Sequence, residues 1–526
     1  MNKEQVDIMV KDATVYTVDA TFSVVEAFVV KNGRIHDRGS SADMEKKYKA
    51  DSVVSFKNQF VYPGWNDAHC HFVGYGLSLN QVNLVGTGSV QEILERSRMY
   101  AQNNPDGWIT GRGWDQNDWE SNEFPDRYDL DKEFPDRPVL LNRIDGHAGW
   151  ANSKALEMAG ITASTKIDGG DILLKNGKPS GILIDNAIGL VGNIIREPGR
   201  EELISGIKKA ALNCFAVGLT SVSDAGLSTE VIQLIDSLQQ SQELKMRVNA
   251  WLDPSESNFK TYVENGPVQN DMLTIGTLKI YADGALGSRG ARMIEPYSDD
   301  PGNRGLFITD PGLLEEYCKK SLDYNYQVAV HCIGDAANRK MLEIFSKLLD
   351  EGNDKRWRIE HAQIIHPDDF HLFGKYNVVP SVQSTHATSD MYWAEERIGR
   401  KRLAGAYSYK TLLDQMGWIP NGSDFPVEHI NPLYGFYAAV SRKDHNGFPK
   451  DGFIKSEALS REEALKAMTI WAAKAAFEED FKGSLEKGKL ADFVVTNEDI
   501  MTVEEHKLHS IEVEQTYSGG ELVYAR

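Results

Sequence analysis

The chain has 526 residues, of which 41% are hydrophobic and 25% are charged, a balance typical of a folded globular protein rather than a disordered one. This length accommodates a large domain together with a smaller one. The 57 basic and 77 acidic residues give a formal charge of −20, which disfavours nucleic acid and anionic membrane surfaces as partners because like charges repel.

The first residues of the chain do not look like a targeting segment. Residues 1–10 lack the apolar stretch of a signal peptide, and no apolar run approaches the ~20 residues of a membrane span. The four cysteines form neither a CxxC pair nor a disulfide framework, which fits a reducing compartment. We therefore expect a cytoplasmic location, and we leave a homodimer open as the oligomeric state.

Both ends of the chain have the pattern of short strands separated by polar turns. The runs rich in β-branched residues are Val6–Val10, Thr14–Val18, Val25–Val30 and Val53–Phe56, followed at the other end by Asp492–Thr496, Ile511–Tyr517 and Leu522–Tyr524. Because chain termini often lie close together, we predict one small β-sandwich-like domain assembled from residues 1–60 and 480–526.

Between these ends, short apolar runs alternate with helical stretches such as Pro311–Tyr324 and Ala336–Leu349. The eight apolar runs are Val61–Trp65, Leu219–Val222, Arg247–Leu252, Leu278–Ala282, Gln327–Val330, Arg358–Ile359, Val378–Val382 and Trp418–Pro420. Eight strands in βα alternation are what a closed parallel barrel requires. We therefore predict an α/β fold, with a TIM-type (β/α)8 barrel over residues 61–479.

One long segment interrupts this alternation after the first predicted barrel strand. Residues 84–215 contain a strand of their own, Pro138–Asn142, and several tryptophans. We interpret the segment as an inserted subdomain on the rim of the barrel. Its aromatic side chains either line a substrate pocket or form the core of the subdomain, and the core is the commoner role for tryptophan.

The strongest chemical signal is the motif Asp67-Ala68-His69-Cys70-His71, which directly follows the first apolar run. Residues two apart in a strand point to the same side, so His69 and His71 can bind one metal ion together. Active sites of barrel enzymes lie at the carboxyl ends of the strands, where this motif is placed.

Three further ligand-type residues follow later strands of the predicted barrel. His331 and His361 end the fifth and sixth runs, and Asp424 follows the eighth. Lys279 lies inside the fourth run, where a buried charge is costly. Lys279 either pairs with a carboxylate such as Asp283 or Asp424, or it is carboxylated by CO2 and becomes an anionic metal ligand.

These residues belong to blocks that resemble the amidohydrolase superfamily, and within it the amidohydrolase-3 group of metal-dependent hydrolases. The blocks, in chain order, are PGWNDAHCH (63–71), GWDQNDW (113–119), DGHAGWANS (145–153), LKIYADGALGSRGA (278–291), VAVHCIGDAA (328–337), RIEHAQ (358–363), QSTHATSD (383–390) and GSDFPV (422–427). The segment Gly483–Val495 also resembles the return of that superfamily into its small β domain.

The resemblance implies a set of metal ligands, which are His69, His71, Lys279, His331, His361 and Asp424. They would hold one or two divalent ions, with Zn2+ the first expectation. Asp424 matches the aspartate that accepts a proton from activated water. The segment 84–215 is longer than in simpler members, so their substrates do not carry over to this chain.

The expected reaction is cleavage of a C–N bond, in an amide or an N-acyl or N-formyl amine, of a small-molecule substrate. Ester or lactone hydrolysis and deamination on the same site are alternatives, as is an inactive metal-binding regulatory protein. His147, Arg289 and His386 are candidates for substrate contact, and each has a surface ion pair or loop hydrogen bond as its alternative role.

Overall fold

A computed structural model describes residues 3–526 of the chain. Its largest sheet has seven parallel strands in chain order, which we number β1 to β7. They are β1 (Trp65–Cys70), β2 (Leu219–Leu227), β3 (Arg247–Leu252), β4 (Leu273–Tyr281), β5 (Gln327–Cys332), β6 (Arg358–His361) and β7 (Val379–Ser381). A short strand, Val268–Gln269, pairs antiparallel with β4. The predicted TIM-type barrel is confirmed.

The eighth position of the barrel is filled without a regular strand. Between β7 and β1 the segment 420–424 accepts a hydrogen bond from Val382 N to Pro420 O (3.1 Å) and donates one from Asp424 N to His69 O (2.7 Å). The strand predicted at Trp418–Pro420 is therefore wrong as a regular strand. Pro420 has no N–H group, so it accepts a hydrogen bond but cannot donate one to a regular ladder.

The run Val61–Trp65, predicted as the first barrel strand, is divided between two sheets. Strand Phe60–Pro63 pairs with Thr14–Tyr16 and with Phe493–Thr496 in a terminal sheet, whereas the barrel begins at Trp65. Gly64 lies at the crossing, where a Cβ atom would come within 2.3 Å of Thr220 Oγ1. Glycine therefore lets the chain pass close to Thr220 where it leaves the terminal sheet and enters the barrel.

The two chain ends form two small sheets that pack on a shared core. In order across each sheet, the strands are Arg34–Gly39, Ala27–Lys31, Glu4–Lys11 and Tyr48–Ser55, and then Glu521–Ala525, Val513–Ser518, Phe493–Thr496, Phe60–Pro63, Thr14–Tyr16 and Val24–Val25. Phe28 from the first sheet meets Phe493 from the second with ring centroids 5.1 Å apart. The predicted β-sandwich built from both termini is confirmed.

The segment after β1 contains a separate six-stranded sheet. Its strands, in order, are Gly170–Lys175, Lys178–Asp185, Ala148–Ala151, Val139–Arg143, Ile109–Trp114 and Val82–Asn83. Trp114, Trp119 and Trp150 are buried together in the core of this sheet, so these three side chains serve packing. Helix Arg200–Ala216, at the end of the predicted insertion, buries its apolar face in the barrel core.

The helices cover the barrel and the inserted sheet. Their bounds are Ser41–Lys47, Phe72–Ser78, Val90–Asn103, Arg127–Glu133, Ser153–Met158, Asn186–Gly192, Arg200–Ala216, Thr229–Gln240, Glu256–Thr261, Pro311–Asp323, Asp335–Leu348, Phe370–Lys375, Ser384–Asp390, Ala394–Arg402, Tyr409–Met416, Pro432–Ser441, Arg461–Ala467 and Ile470–Ala475. Within residues 3–526, none of these helices has the length and apolar character needed to cross a membrane.

Candidate metal centre

A pocket of about 640 Å³ opens at the carboxyl ends of the barrel strands, with one wall formed by the inserted sheet. This is the face at which barrel enzymes carry their active sites. The predicted site residues that line it are His69, His71, His147, Lys279, His331, His361, His386 and Asp424. Arg289 lies outside this lining.

Asp424 is the point at which the predicted ligands meet. Its Oδ1 atom lies 3.2 Å from His71 Nε2 and 3.6 Å from His69 Nε2, and its Oδ2 atom lies 3.6 Å from His386 Nε2. Two overlapping groups, each with ligand atoms within 4.8 Å of one another, share this carboxylate. The groups are His69, His71 and Asp424, and His361, His386 and Asp424.

The backbone around Asp424 is held against β1 by a buried carboxylate that sequence reasoning did not use. Asp67 accepts hydrogen bonds from His69 N (3.1 Å) and from Ser423 Oγ (2.6 Å). A Cβ atom at Gly422 would approach His69 N to 2.5 Å, so only glycine allows the segment to lie this close. The spacing between Asp424 and His69 of β1 is therefore set by backbone packing.

Glu360 orients the His69 ring from within β6. Its Oε2 atom lies 2.7 Å from His69 Nδ1, and Arg358 lies 2.7 Å from its other oxygen. Burial alone would raise the pKa of Glu360, but Arg358 and His69 lower it to about 2, so it is ionised. A carboxylate on the far nitrogen of a histidine fixes the ring and leaves the other nitrogen for a metal.

His361 and His331 extend the cluster along β6 and β5. His361 Nδ1 lies 2.6 Å from Gln383 Oε1, which again leaves Nε2 free to face the site. The rings of His331 and His361 are 4.5 Å apart between centroids. His331 lies outside both ligand groups, whereas His386, predicted as a substrate contact, lies within one of them.

Lys279 is buried among these histidines at 1% exposure. Burial lowers the pKa of its amine to about 8. Of the two carboxylates proposed as partners, neither Asp283 nor Asp424 forms an ion pair with it, and its Nζ atom instead lies 4.7 Å from the centre of the Tyr281 ring. The Asp283 carboxylate accepts hydrogen bonds from the backbone N–H groups of residues 292, 333 and 334.

The donor set fits a divalent metal ion. His69 Nε2 and Asp424 Oδ1 are buried and have no hydrogen-bond partner among the described residues. Buried polar atoms are almost always satisfied, so two orphaned donor atoms facing each other indicate a missing ligand. Imidazole nitrogens and a carboxylate oxygen are the donors that zinc and similar ions take.

The three predicted substrate contacts have different surroundings. His147 Nδ1 lies 2.6 Å from Asp185 Oδ1, and the His147 ring packs 4.9 Å from that of His331. His386 Nδ1 contacts Glu428 at 3.0 Å. Arg289 is paired with Asp299 at 2.9 Å, away from the pocket, so the prediction that it contacts substrate is not supported by its position.

Several residues of the site were missed in the sequence. Arg358 and Glu360 lie two apart in a strand and therefore point to the same side, and this pair of opposite charges in a buried barrel strand was the available signal. Arg112 and Gln383 also line or support the pocket. Their roles depend on contacts distant in sequence, for which the local pattern carries no signal.

Comparison with known proteins agrees with this geometry. The chain is 33% identical to Protein LONG AFTER FAR-RED 3 of Arabidopsis thaliana, over 98% of this chain and 91% of that protein. It is 30% identical to the putative amidohydrolase YtcJ of Bacillus subtilis, with 97% and 98% covered. It is 25% identical to the N-substituted formamide deformylase of Arthrobacter pascens, with 99% and 98% covered.

Solved structures show the same fold. An uncharacterized metal-dependent hydrolase from Pyrococcus horikoshii superimposes with a TM-score of 0.76 at 28% identity, covering 95% of this chain and 99% of that one. The sequence model of the amidohydrolase family matches residues 52–524. With this match over nearly the full length and a metal-type donor set at the barrel mouth, the chain belongs to the amidohydrolase family and is a metal-dependent hydrolase.

Proposed function

We propose that this hydrolase cleaves the C–N bond of an amide, with an N-acyl or N-formyl amine as its substrate. The observation that carries the proposal is the Asp424 carboxylate, which faces the nitrogens of three histidines at the floor of the pocket. The similarity to a formamide deformylase over nearly the whole chain supports this bond type. A pocket of about 640 Å³ suits a small-molecule substrate.

The residues of the site have distinct roles in this proposal. A divalent ion held by His69, His71 and Asp424 would lower the pKa of water to about 7 and polarise the substrate carbonyl. Asp424 accepts the proton of the attacking water. Neighbouring histidines hold its pKa well below the ordinary value despite burial, so the carboxylate is in the ionised form that a proton acceptor needs. Asp424 then returns that proton to the amine nitrogen as the C–N bond breaks, leaving a carboxylate and an amine.

Zinc and a carboxylated Lys279 are part of the same proposal. Only the neutral amine reacts with CO2, and the lowered pKa of Lys279 makes that form accessible near neutral pH. The product carries a negative charge, which relieves the cost of a buried cation beside several histidines. The cytoplasmic location and the homodimer stay predictions.

Metal content tests the ligand assignments directly. Purified protein should hold one or two equivalents of a divalent ion, rising toward two when bicarbonate is supplied during metal loading. His69→Ala and His331→Ala should each lower this content, measured by elemental analysis, because each removes an imidazole donor. His371→Ala is the matched control, since this exposed histidine lies on helix Phe370–Lys375. Full occupancy in both site variants would reject the assignments.

The reaction type is tested by the products released. The metal-loaded enzyme should liberate amine from a panel of N-formyl and N-acyl amines, detected with an amine-reactive fluorophore. The same panel includes matched esters and aminated heterocycles. Turnover confined to the esters, or ammonia release from the heterocycles, would replace C–N amide cleavage with one of those reactions, and no turnover of any compound by fully loaded enzyme would favour a binding role.

A further inference from the structure

Arg112 is a pocket residue whose positive charge is not matched by the protein. It lies on strand Ile109–Trp114 of the inserted sheet and lines the pocket of the candidate metal centre. Its Nε and Nη2 atoms both donate to a single backbone oxygen, Ile144 O, at 3.3 and 2.9 Å. Among residues 3–526, no carboxylate lies within the 4.0 Å of an ion pair with Arg112, and Nη1 has no hydrogen-bond partner.

The carboxylates near this part of the inserted sheet are paired with a neighbouring arginine. Arg143, on the adjacent strand, forms ion pairs with Asp115 and Asp145 and donates to Gln116 Oε1 at 2.8 Å. Its guanidinium is therefore surrounded by acceptors, and it has little capacity left for a ligand. Arg112 lines the same pocket but receives none of these carboxylates.

The backbone allows the Arg112 guanidinium to lie where it does. Gly146 packs against it, and a Cβ atom there would approach Arg112 Nη2 to 3.1 Å. Burial lowers the pKa of Arg112, although Asp424 and Asp145 act in the opposite direction from a distance. A guanidinium stays charged in proteins, and Arg112 is half-buried without a carboxylate partner, so an anion from outside the protein would be favoured beside it.

We propose that Arg112 binds a carboxylate of the substrate, so that the enzyme acts on amides that carry a negatively charged group. This inference rests on the proposed C–N hydrolysis. The planar guanidinium presents its donors in a fork that matches a carboxylate. The class of substrate is therefore an N-acyl or N-formyl amino acid, or a monoamide of a dicarboxylic acid.

Matched pairs of ligands test this assignment by binding, independently of turnover. Isothermal titration with the metal-loaded protein compares N-acetyl ω-amino acids of one to four methylenes with their uncharged carboxamides, and a second series places the carboxylate on the acyl side. At the best chain length, the wild-type protein should bind the carboxylate about 10- to 100-fold more tightly than the carboxamide, the usual worth of a charged hydrogen bond.

Variants assign the preference to one side chain. Arg112→Met should bind the two members of each pair with nearly equal affinity, and Arg112→Gln repeats the loss of charge with a polar side chain in case the first variant folds poorly. Arg289→Met is the matched control, because Arg289 pairs with Asp299 outside the pocket and should keep the full preference. Every variant retains the metal ligands, so any binding of the carboxylate to the metal contributes equally in wild-type protein and variants. The difference between them therefore reports on Arg112.

The outcomes separate this inference from the proposed reaction. An undiminished preference in both Arg112 variants, or no preference in the wild-type protein at millimolar ligand, overturns the role of Arg112. Tight, Arg112-dependent binding of carboxylates that are never hydrolysed keeps that role and rejects C–N cleavage. Hydrolysis of neutral and charged amides with equal kcat/KM keeps the cleavage and rejects the charged substrate.

Discussion

Asp424→Asn should lower the turnover number by roughly 10²–10⁴-fold, the usual contribution of a general base. The amide keeps the size of the carboxylate and one oxygen atom, so the fold should survive. It removes the negative charge and the basicity of the carboxylate that lies between His69, His71 and His386. The histidines remain, so the metal affinity should fall less than the rate does.

The decisive measurement is turnover at full metal occupancy. Excess zinc or manganese should restore the metal content of Asp424→Asn, measured by elemental analysis, without restoring its rate. Asp271→Asn is the control for loss of a carboxylate, because Asp271 is exposed and pairs with Arg34 at the surface. A fully loaded Asp424→Asn enzyme with near-normal turnover would show that another group, such as His386 or His147, accepts the proton.

Glu360→Gln should destabilise the protein by about 3–5 kcal/mol, because it removes one partner of a buried ion pair and leaves the other charge uncompensated. Glu360 and Arg358 are both 0% exposed, and Arg358 also donates to Ala68 O at 2.8 Å and Ser381 Oγ at 2.7 Å. The glutamine can still accept a hydrogen bond from His69, but without the charge the metal affinity should fall roughly 10- to 100-fold.

Chemical denaturation at fixed metal concentration measures this loss, and pH identifies its cause. The pKa of Glu360 is lowered from 4.5 to about 2, so its ionised form stabilises the fold above pH 4.5 and this stabilisation is lost as the pH falls toward 2. The difference between wild-type protein and Glu360→Gln should shrink over that interval. Glu243→Gln, in an exposed pair with Lys208, should leave the free energy of unfolding close to wild type. A difference independent of pH would assign the loss to packing rather than to charge.

The candidate metal ligands could be predicted from the sequence because barrel geometry repeats. A ligand-type side chain after an apolar run lies at the carboxyl end of a strand, and all such ends meet at one face of a parallel barrel. His69, His331, His361 and Asp424 follow this rule, and the structure places all four in one pocket. Here the local pattern was sufficient to predict the cluster, because a residue that follows a barrel strand in the sequence lies at the same face of the barrel as the others.

Arg289 and Arg112 show that this local pattern does not predict which arginine faces the pocket. Arg289 lies within the block 278–291 and Arg112 directly precedes the block 113–119, but only Arg289 was expected to contact the substrate. In the structure, Arg289 pairs with Asp299, whereas Arg112 faces the pocket without an acid. Whether an arginine is free to bind a ligand depends on which carboxylates lie nearby, and those carboxylates are distant in the chain.

The sequence alone was sufficient to predict the fold class, the β domain built from both ends and the candidate metal ligands, because strand periodicity and the placing of ligand-type residues after predicted strands are properties of local pattern. Only the tertiary structure decided that Val61–Trp65 is divided between two sheets and that the eighth position of the barrel lacks a regular strand. It also decided that Glu360 orients His69 and that Arg112 remains unpaired. These features are set by which distant segments come to lie within hydrogen-bonding distance, and such proximity is created only when the chain folds.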